Sequence, residues 1–178
     1  PTSNPNRIIV YTMNRHQDIL NLYGVNPRST VAQLLLSDHI SRYVKEEAIE
    51  AARIGNNYIL LPSDRDGYMH LYLYNSNGQL MRKIGNGNFD ITDVYGYDDK
   101  TGDVYYQAAA LNPQDRQIYV AHKDGKTERL TKNEGWNSAI FSSDLRYFVN
   151  CWSDYDTPYI YSTCSNSGKV IATNLDNQ

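Results

Sequence analysis

Short runs of alternating apolar and polar residues, separated by clusters of Gly, Asn, Asp, Ser and Pro, fill this chain. The clearest run is 68–74. Tyr68, His70, Tyr72 and Tyr74 share one face, and Met69, Leu71 and Leu73 the other. Bulky residues on both faces predict a strand that is covered on both sides. The apolar run 58–61 predicts the strand before it. Between them, Ser63-Asp64-Arg65-Asp66-Gly67 supplies a turn, because Asp side chains bond nearby backbone and Gly tolerates positive φ. A second turn, 75–78, and a third strand, 79–84, complete the pattern.

The same pattern recurs. Apolar runs at 8–11, 58–61, 104–107 and 147–150 begin 43 to 50 positions apart. Each leads into a polar turn (14–16, 63–67, 112–115, 153–157) and a second strand (18–24, 68–74, 117–122, 159–163). Another turn and a closing strand follow (31–36, 79–84, 126–130, 169–173). The last three units also have a leading segment, at 48–54, 91–97 and 138–142. Four strands per repeat of this length is the signature of a β-propeller blade. The expected fold is therefore all-β: a partial β-propeller of four-stranded antiparallel blades, three complete plus three strands of another. The blades fall at approximately 7–38, 48–86, 91–131 and 138–175. Propellers close with about 4–8 blades, so the chain reads as a piece of a larger one, with open blade faces prone to self-association. One stretch resists the repeat. Residues 43–53 are rich in helix formers, and Val44, Ala48 and Ala52 recur at helical spacing. Repeat register predicts a strand there from about Ala48, after a helical turn.

Composition narrows the function classes. At 178 residues the chain suits one domain or part of a larger one. A hydrophobic content of 40% with 21% charge excludes a disordered chain. Net charge is −3 and no long basic run occurs, which argues against a nucleic-acid partner. No apolar run is long enough to span a membrane, and the start at Pro1-Thr2-Ser3-Asn4-Pro5 is not a signal peptide. The 16 Tyr, against 3 Phe and 2 Trp, suit strands whose hydroxyls reach a wet edge.

Catalytic chemistry is sparse. A serine hydrolase presents its nucleophile as G-x-S-x-G, which is absent. The nearest string, Gly135-Trp136-Asn137-Ser138-Ala139, has its Ser one position late. His16, His39, His70 and His122 lack a Ser and Asp partner set in sequence, and His70 and His122 read as packed strand residues. No Cys or His pair has zinc spacing, and 98–103 lacks the ligand pattern of a calcium loop, so it reads as a turn. No catalytic residue, metal site or cofactor is predicted. If Ser153 lies opposite Pro158, Cys151 faces Ile160 and Cys164 is roughly 13 Å further on, beyond the reach of a disulfide. Two free thiols are expected.

Several segments resemble a known family. Asn14-Arg15-His16-Gln17 resembles the NRxQ segment of dipeptidyl peptidase IV-type propellers, and 63–72 resembles their SERDGxxHLY segment, with Asp64 where Glu is usual. Leu130-Thr131 before Gly135-Trp136, then Phe141-Ser142-Ser143-Asp144 and 153–158, resemble later landmarks in the same order. Other departures are Gly85-Asn86-Gly87 in place of an LT-x-G turn and no Trp near Tyr43. The resemblance implies a parent exopeptidase of the prolyl oligopeptidase group that removes N-terminal dipeptides or tripeptides, typically after proline. In that group the propeller precedes an α/β-hydrolase domain, restricts access to short peptides and helps bind the substrate. The implied partners are the missing propeller blades, the hydrolase domain and a peptide substrate; the implied address is periplasmic or envelope. The family's amine-anchoring Glu pair precedes NRxQ, so Glu46 and Glu47 read as a solvated charge run. Family members can line the outer substrate site with an aromatic and a basic residue near the 42–45 segment, which makes Tyr43 and Lys45 the candidate substrate-binding residues. The fragment itself is expected to be non-catalytic.

Two rival readings stand beside this one. A non-enzymatic propeller scaffold binding protein or glycan would suit Tyr-rich blade edges. A propeller glycosidase would need two converging carboxylates, whereas the acidic residues here fall mostly in turns.

Overall fold

The computed structural model describes residues 6–176. The first sheet is a meander of β1 (Ile8–Met13), β2 (Ile19–Val25) and β3 (Ala32–His39). A short helix, α1 (Glu46–Ala51), leads into the second sheet: β4 (Arg53–Ile54), β5 (Tyr58–Ser63), β6 (His70–Asn75) and β7 (Leu80–Ile84). The third comprises β8 (Ile91–Asp98), β9 (Asp103–Ala108), β10 (Gln117–Ala121) and β11 (Thr127–Arg129). The fourth comprises β12 (Trp136–Phe141), β13 (Tyr147–Ser153), β14 (Ile160–Ser165) and β15 (Val170–Leu175). Within each sheet neighbours in sequence are neighbours in space, and all pairs are antiparallel. This is the all-β class expected, with three four-stranded sheets and one of three strands. The chain divides after Asn86 into two compact units of two sheets each.

The strand expected from about Ala48 is replaced by α1. Local preference wins over repeat register here. Glu and Ala favour helix, and Glu46 and Glu47 lie in the first turn, where the helix dipole favours negative charge. Val44, just before the helix, and Ala48 within it are both buried. Arg53 Nη1 donates to the carbonyls of Glu50, Ala51 and Ala52 at 3.3, 2.9 and 3.4 Å, which satisfies the helix C-terminus. Only Arg53 and Ile54 remain to pair with Leu60 and Ile59.

The β13–β14 register also differs by one residue. Cys151 faces Tyr161 rather than Ile160, and Phe148 faces Cys164. The Asp154 carboxylate accepts from the backbone N–H groups of Asp156 (3.0 Å) and Thr157 (2.7 Å). That turn leaves Pro158, which has no N–H to give, outside the ladder. Both cysteines are free.

In the first unit Leu20, Leu22 and Leu36 of the first sheet meet Ile59, Leu61, Tyr72 and Tyr74 of the second, with Ile40 and Val44 in the same cluster. Each such side chain contributes about 1.5–3 kcal/mol on burial. The turn after β6 carries Gly78 at φ 81°, and a Cβ there would lie 1.9 Å from the Leu35 carbonyl oxygen. Only glycine lets that turn sit against β3.

In the second unit Phe141 stacks 4.8 Å from Phe148 and lies 5.0 Å from Tyr105 and 5.2 Å from Tyr95. Beside this core runs a buried polar network. Thr131 Oγ1 donates to Gln117 Oε1 (2.6 Å) and accepts from the Ile118 N–H (3.1 Å). Asn137 Nδ2 lies within bonding distance of Gln117 Oε1 and the carbonyls of Arg116 and Asn133, and its Oδ1 accepts from Asn150. Gln107 Nε2 reaches the Asn137 carbonyl at 2.5 Å. The network therefore joins the third and fourth sheets, and Leu130-Thr131 and Gly135-Trp136 flank it. The turn after β14 repeats the glycine device: Gly168, at φ 78°, sits where a Cβ would be 2.4 Å from the Leu130 carbonyl oxygen.

The buried tyrosines make stability fall in alkali. Burial raises the Tyr95 phenol and pushes Tyr106 up to about 12. In the unfolded chain these groups ionise near 10.0. Stability is thus intact below that pH, and it falls as pH rises towards about 12 because only the unfolded chain releases the proton in that window. Unfolding by urea at stepped pH, with phenolate absorbance followed in parallel, should show the midpoint dropping over this range. A flat midpoint would contradict it.

Candidate functional site

The candidate residues Tyr43 and Lys45 lie on the connection between β3 and α1. Along β3 and beyond it, Leu36, Asp38 and Ile40 alternate inward and are all buried. A carboxylate thus sits in phase with two core aliphatics, where an unpaired charge would be costly. Its partner comes from the β5–β6 turn: Arg65 Nε lies 2.9 Å from Asp38 Oδ1. Burial raises the Asp38 carboxyl above its usual range, and the Ser63 hydroxyl and the Arg65 guanidinium oppose that shift.

Arg65 is held on every side. Its Nε also donates to Ser63 Oγ (3.2 Å), its Nη2 donates to the Tyr74 hydroxyl (2.8 Å), and its guanidinium carbon lies 3.9 Å from the Tyr72 ring centre. Tyr72 in turn donates to Asp66 Oδ2 (2.6 Å), which also pairs with Lys83 Nζ at 2.8 Å. Lys83 and Tyr72 together hold the Asp66 carboxyl below its ordinary range. Burial, reinforced by Asp66, raises the Tyr72 phenol. Two tyrosines of the alternating run in β6 thus present hydroxyls to charged groups in the preceding turn.

Tyr43 is 56% exposed, so its ring is available to a ligand. Lys45 lies at the start of α1, and its Nζ pairs with Asp64 Oδ2 at 3.5 Å. The two candidates share one connection but differ in freedom: the ring is open, while the amine is tethered. Sequence patterning does not single out Arg65, Asp38 and Asp64 as site residues. Asp38 carried a signal, since an acid in the apolar phase of a strand requires a cation nearby. Glu46 and Glu47 are exposed on the first turn of α1.

His39 Nε2 lies 3.2 Å from Ser37 Oγ on an exposed face. His122 Nδ1 lies 3.0 Å from Asp103 Oδ1, with Glu128 at 3.8 Å from its other nitrogen. His70 is buried in β6. Asp98 is engaged by its own turn, accepting from the Lys100 N–H at 2.9 Å.

The repeated antiparallel sheets define this chain as part of a β-propeller. The sequence profile described as "Dipeptidyl peptidase IV (DPP IV) N-terminal region" matches residues 2–159, and the chain belongs to that family. It is similar to the crystal structure of Porphyromonas gingivalis dipeptidyl peptidase 4, with a TM-score of 0.95 and 35% identity over 99% of this chain and 25% of that one. A putative dipeptidyl aminopeptidase IV from Bacteroides ovatus shares the fold at a TM-score of 0.79 and 18% identity, over 96% of this chain and 27% of that one. A probable dipeptidyl peptidase 4 of Aspergillus flavus is 27% identical over 123 residues, 67% of this chain and 16% of that protein. The chain therefore spans between 16% and 27% of the length of these relatives. No helix among the described residues is long and apolar enough to cross a membrane.

Proposed function

We propose that this chain is the substrate-gating and docking part of a serine-type exopeptidase that removes N-terminal dipeptides, typically after proline. In this reading the hydrolytic nucleophile lies in an α/β-hydrolase domain elsewhere in the parent polypeptide, which also supplies the remaining blades. The carrying observation is the family match over 2–159, joined to the absence of a G-x-S-x-G string in the chain. The family resemblance also supports an exported, periplasmic or envelope-bound parent.

Tyr43 and Lys45 are the substrate contacts in this reading. The exposed ring offers stacking area and a hydroxyl to a peptide, and the adjacent amine offers a charged donor. In the parent enzyme, Tyr43→Ala with Lys45→Ala should raise KM for a proline-containing peptide by about fivefold while kcat stays within about twofold, because uniform binding is lost without loss at the reacting bond. Steady-state kinetics of the purified full-length protein measure this. An unchanged KM would remove both residues from the site.

A further inference from the structure

We infer that the 14–18 loop and the 63–66 turn are two jaws of a clamp on the 38–45 connection, and that Arg65 is the positioning residue that fixes Tyr43 and Lys45. The substrate consequence rests on the function proposed above; the clamp itself does not.

One jaw is made of backbone. The Ile40 N–H donates to the Asp18 carbonyl at 2.9 Å, and the Val44 N–H donates to the Gln17 carbonyl at 2.6 Å. The loop that offers these carbonyls is braced by Asn14. Its Oδ1 accepts from the Asp18 and Ile19 N–H groups at 3.1 Å, and its Nδ2 donates to Asp18 Oδ1 at 2.6 Å. Gln17 takes a left-handed conformation at φ 58°, which a non-glycine residue holds only when its surroundings enforce it.

The other jaw is ionic. Arg65 takes Asp38 before the connection, and its chain neighbour Asp64 takes Lys45 after it. Arg65 can act as a fixed post because Ser63, Tyr72 and Tyr74 already hold it. Removing its charge would leave the Asp38 carboxylate buried without its cation, a state that protonation or outward movement of the connection relieves.

The grips fall at 38, 40, 44 and 45, on both sides of Tyr43. Ile40 and Val44 are buried, whereas residues 41–43 bow outward and are exposed. The arrangement presents one exposed aromatic ring on a connection pinned at both ends. Two segments that stand out in the sequence, 14–17 and 63–67, thereby acquire a shared role: they hold the connection rather than touch a ligand.

The test uses the full-length parent protein carrying Arg65→Met, with Arg65→Lys as the charge-preserving comparison. Hydrogen exchange should quicken at the Ile40 and Val44 amides by about tenfold or more in Arg65→Met, and stay unchanged at Val104 and Tyr105 in the core of β9. In the same variant KM should rise about threefold, no further than loss of both contacts raises it, with kcat within about twofold, and adding Tyr43→Ala should change little further, since coupled residues are not additive. Arg65→Lys should recover part of both effects. Asp64→Asn, which releases only the Lys45 end, tests the clamp if Arg65→Met does not fold. Unaltered exchange at Ile40 and Val44 would overturn the inference, as would a speed-up spread equally to β9. Faster exchange with an unmoved KM would uphold the clamp and instead remove Tyr43 and Lys45 from substrate binding.

Discussion

Asn137→Ala is expected to destabilise the second unit by about 3 kcal/mol or more, the range in which buried polar networks fail. The side chain is 1% exposed and serves four groups at once. Its amide nitrogen faces Gln117 Oε1 and the carbonyls of Arg116 and Asn133, and its oxygen receives the Asn150 amide. Alanine removes the amide from all four, although Gln117 Oε1 keeps Thr131, the Arg116 carbonyl keeps the Asn137 N–H and the Asn133 carbonyl keeps Gln117 Nε2. The loss is therefore the sum of several bonds at about 0.5–1.5 kcal/mol each, the acceptor of the Asn150 amide among them, and the space the amide filled. For a chain of this size each kcal/mol moves the melting temperature by roughly 2–4 °C, so a fall of about 6–12 °C is expected. Asn112→Ala is the comparison, because that residue is exposed and bonds only within its own loop. Equal melting temperatures for the two variants would show that the network is dispensable.

Gly78→Ala is expected to cost about 3 kcal/mol, from two independent causes. The first is conformational: at φ 81° an L side chain is strained by about 1 kcal/mol. The second is steric: the new Cβ would be 1.9 Å from the Leu35 carbonyl oxygen, so the turn must lift off β3. Gly67 separates the causes. Its φ is 97°, but a Cβ there meets nothing within 4 Å, so Gly67→Ala should show the conformational part alone, about 1 kcal/mol. Urea unfolding midpoints of the two variants measure the difference. Similar midpoints would mean that the Leu35 contact gives way without cost.

The repeat was legible because each sheet writes its own local signals. Alternation marks the strands, and Asp-Gly, Asn-Gly and Ser-Gly mark the turns. The helix is legible in composition, but repeat register masks it, because four-strand periodicity and the propensity of Glu46–Ala51 point to different elements for the same residues. The offset at Cys151 arises because Pro158, with no N–H to give, is not a ladder position. The candidate site was legible only in part. Tyr43 and Lys45 lie close together in sequence, whereas the Arg65–Asp38 pair spans a helix, two strands and a turn. Local patterning cannot reveal such a pair, although the phase of Asp38 among Leu36 and Ile40 announces that one must exist.

Gly78 and Gly168 stand in corresponding turns, and each rests on a leucine carbonyl of the sheet before it, Leu35 and Leu130. The joint therefore has two halves encoded some forty residues apart, a side-chain-free tip and a seat that receives it. Anyone building chimeras by exchanging single blades would have to transplant both halves together. A tip grafted without its seat, or a seat offered to a tip with a side chain, would yield a correctly folded sheet that does not stack.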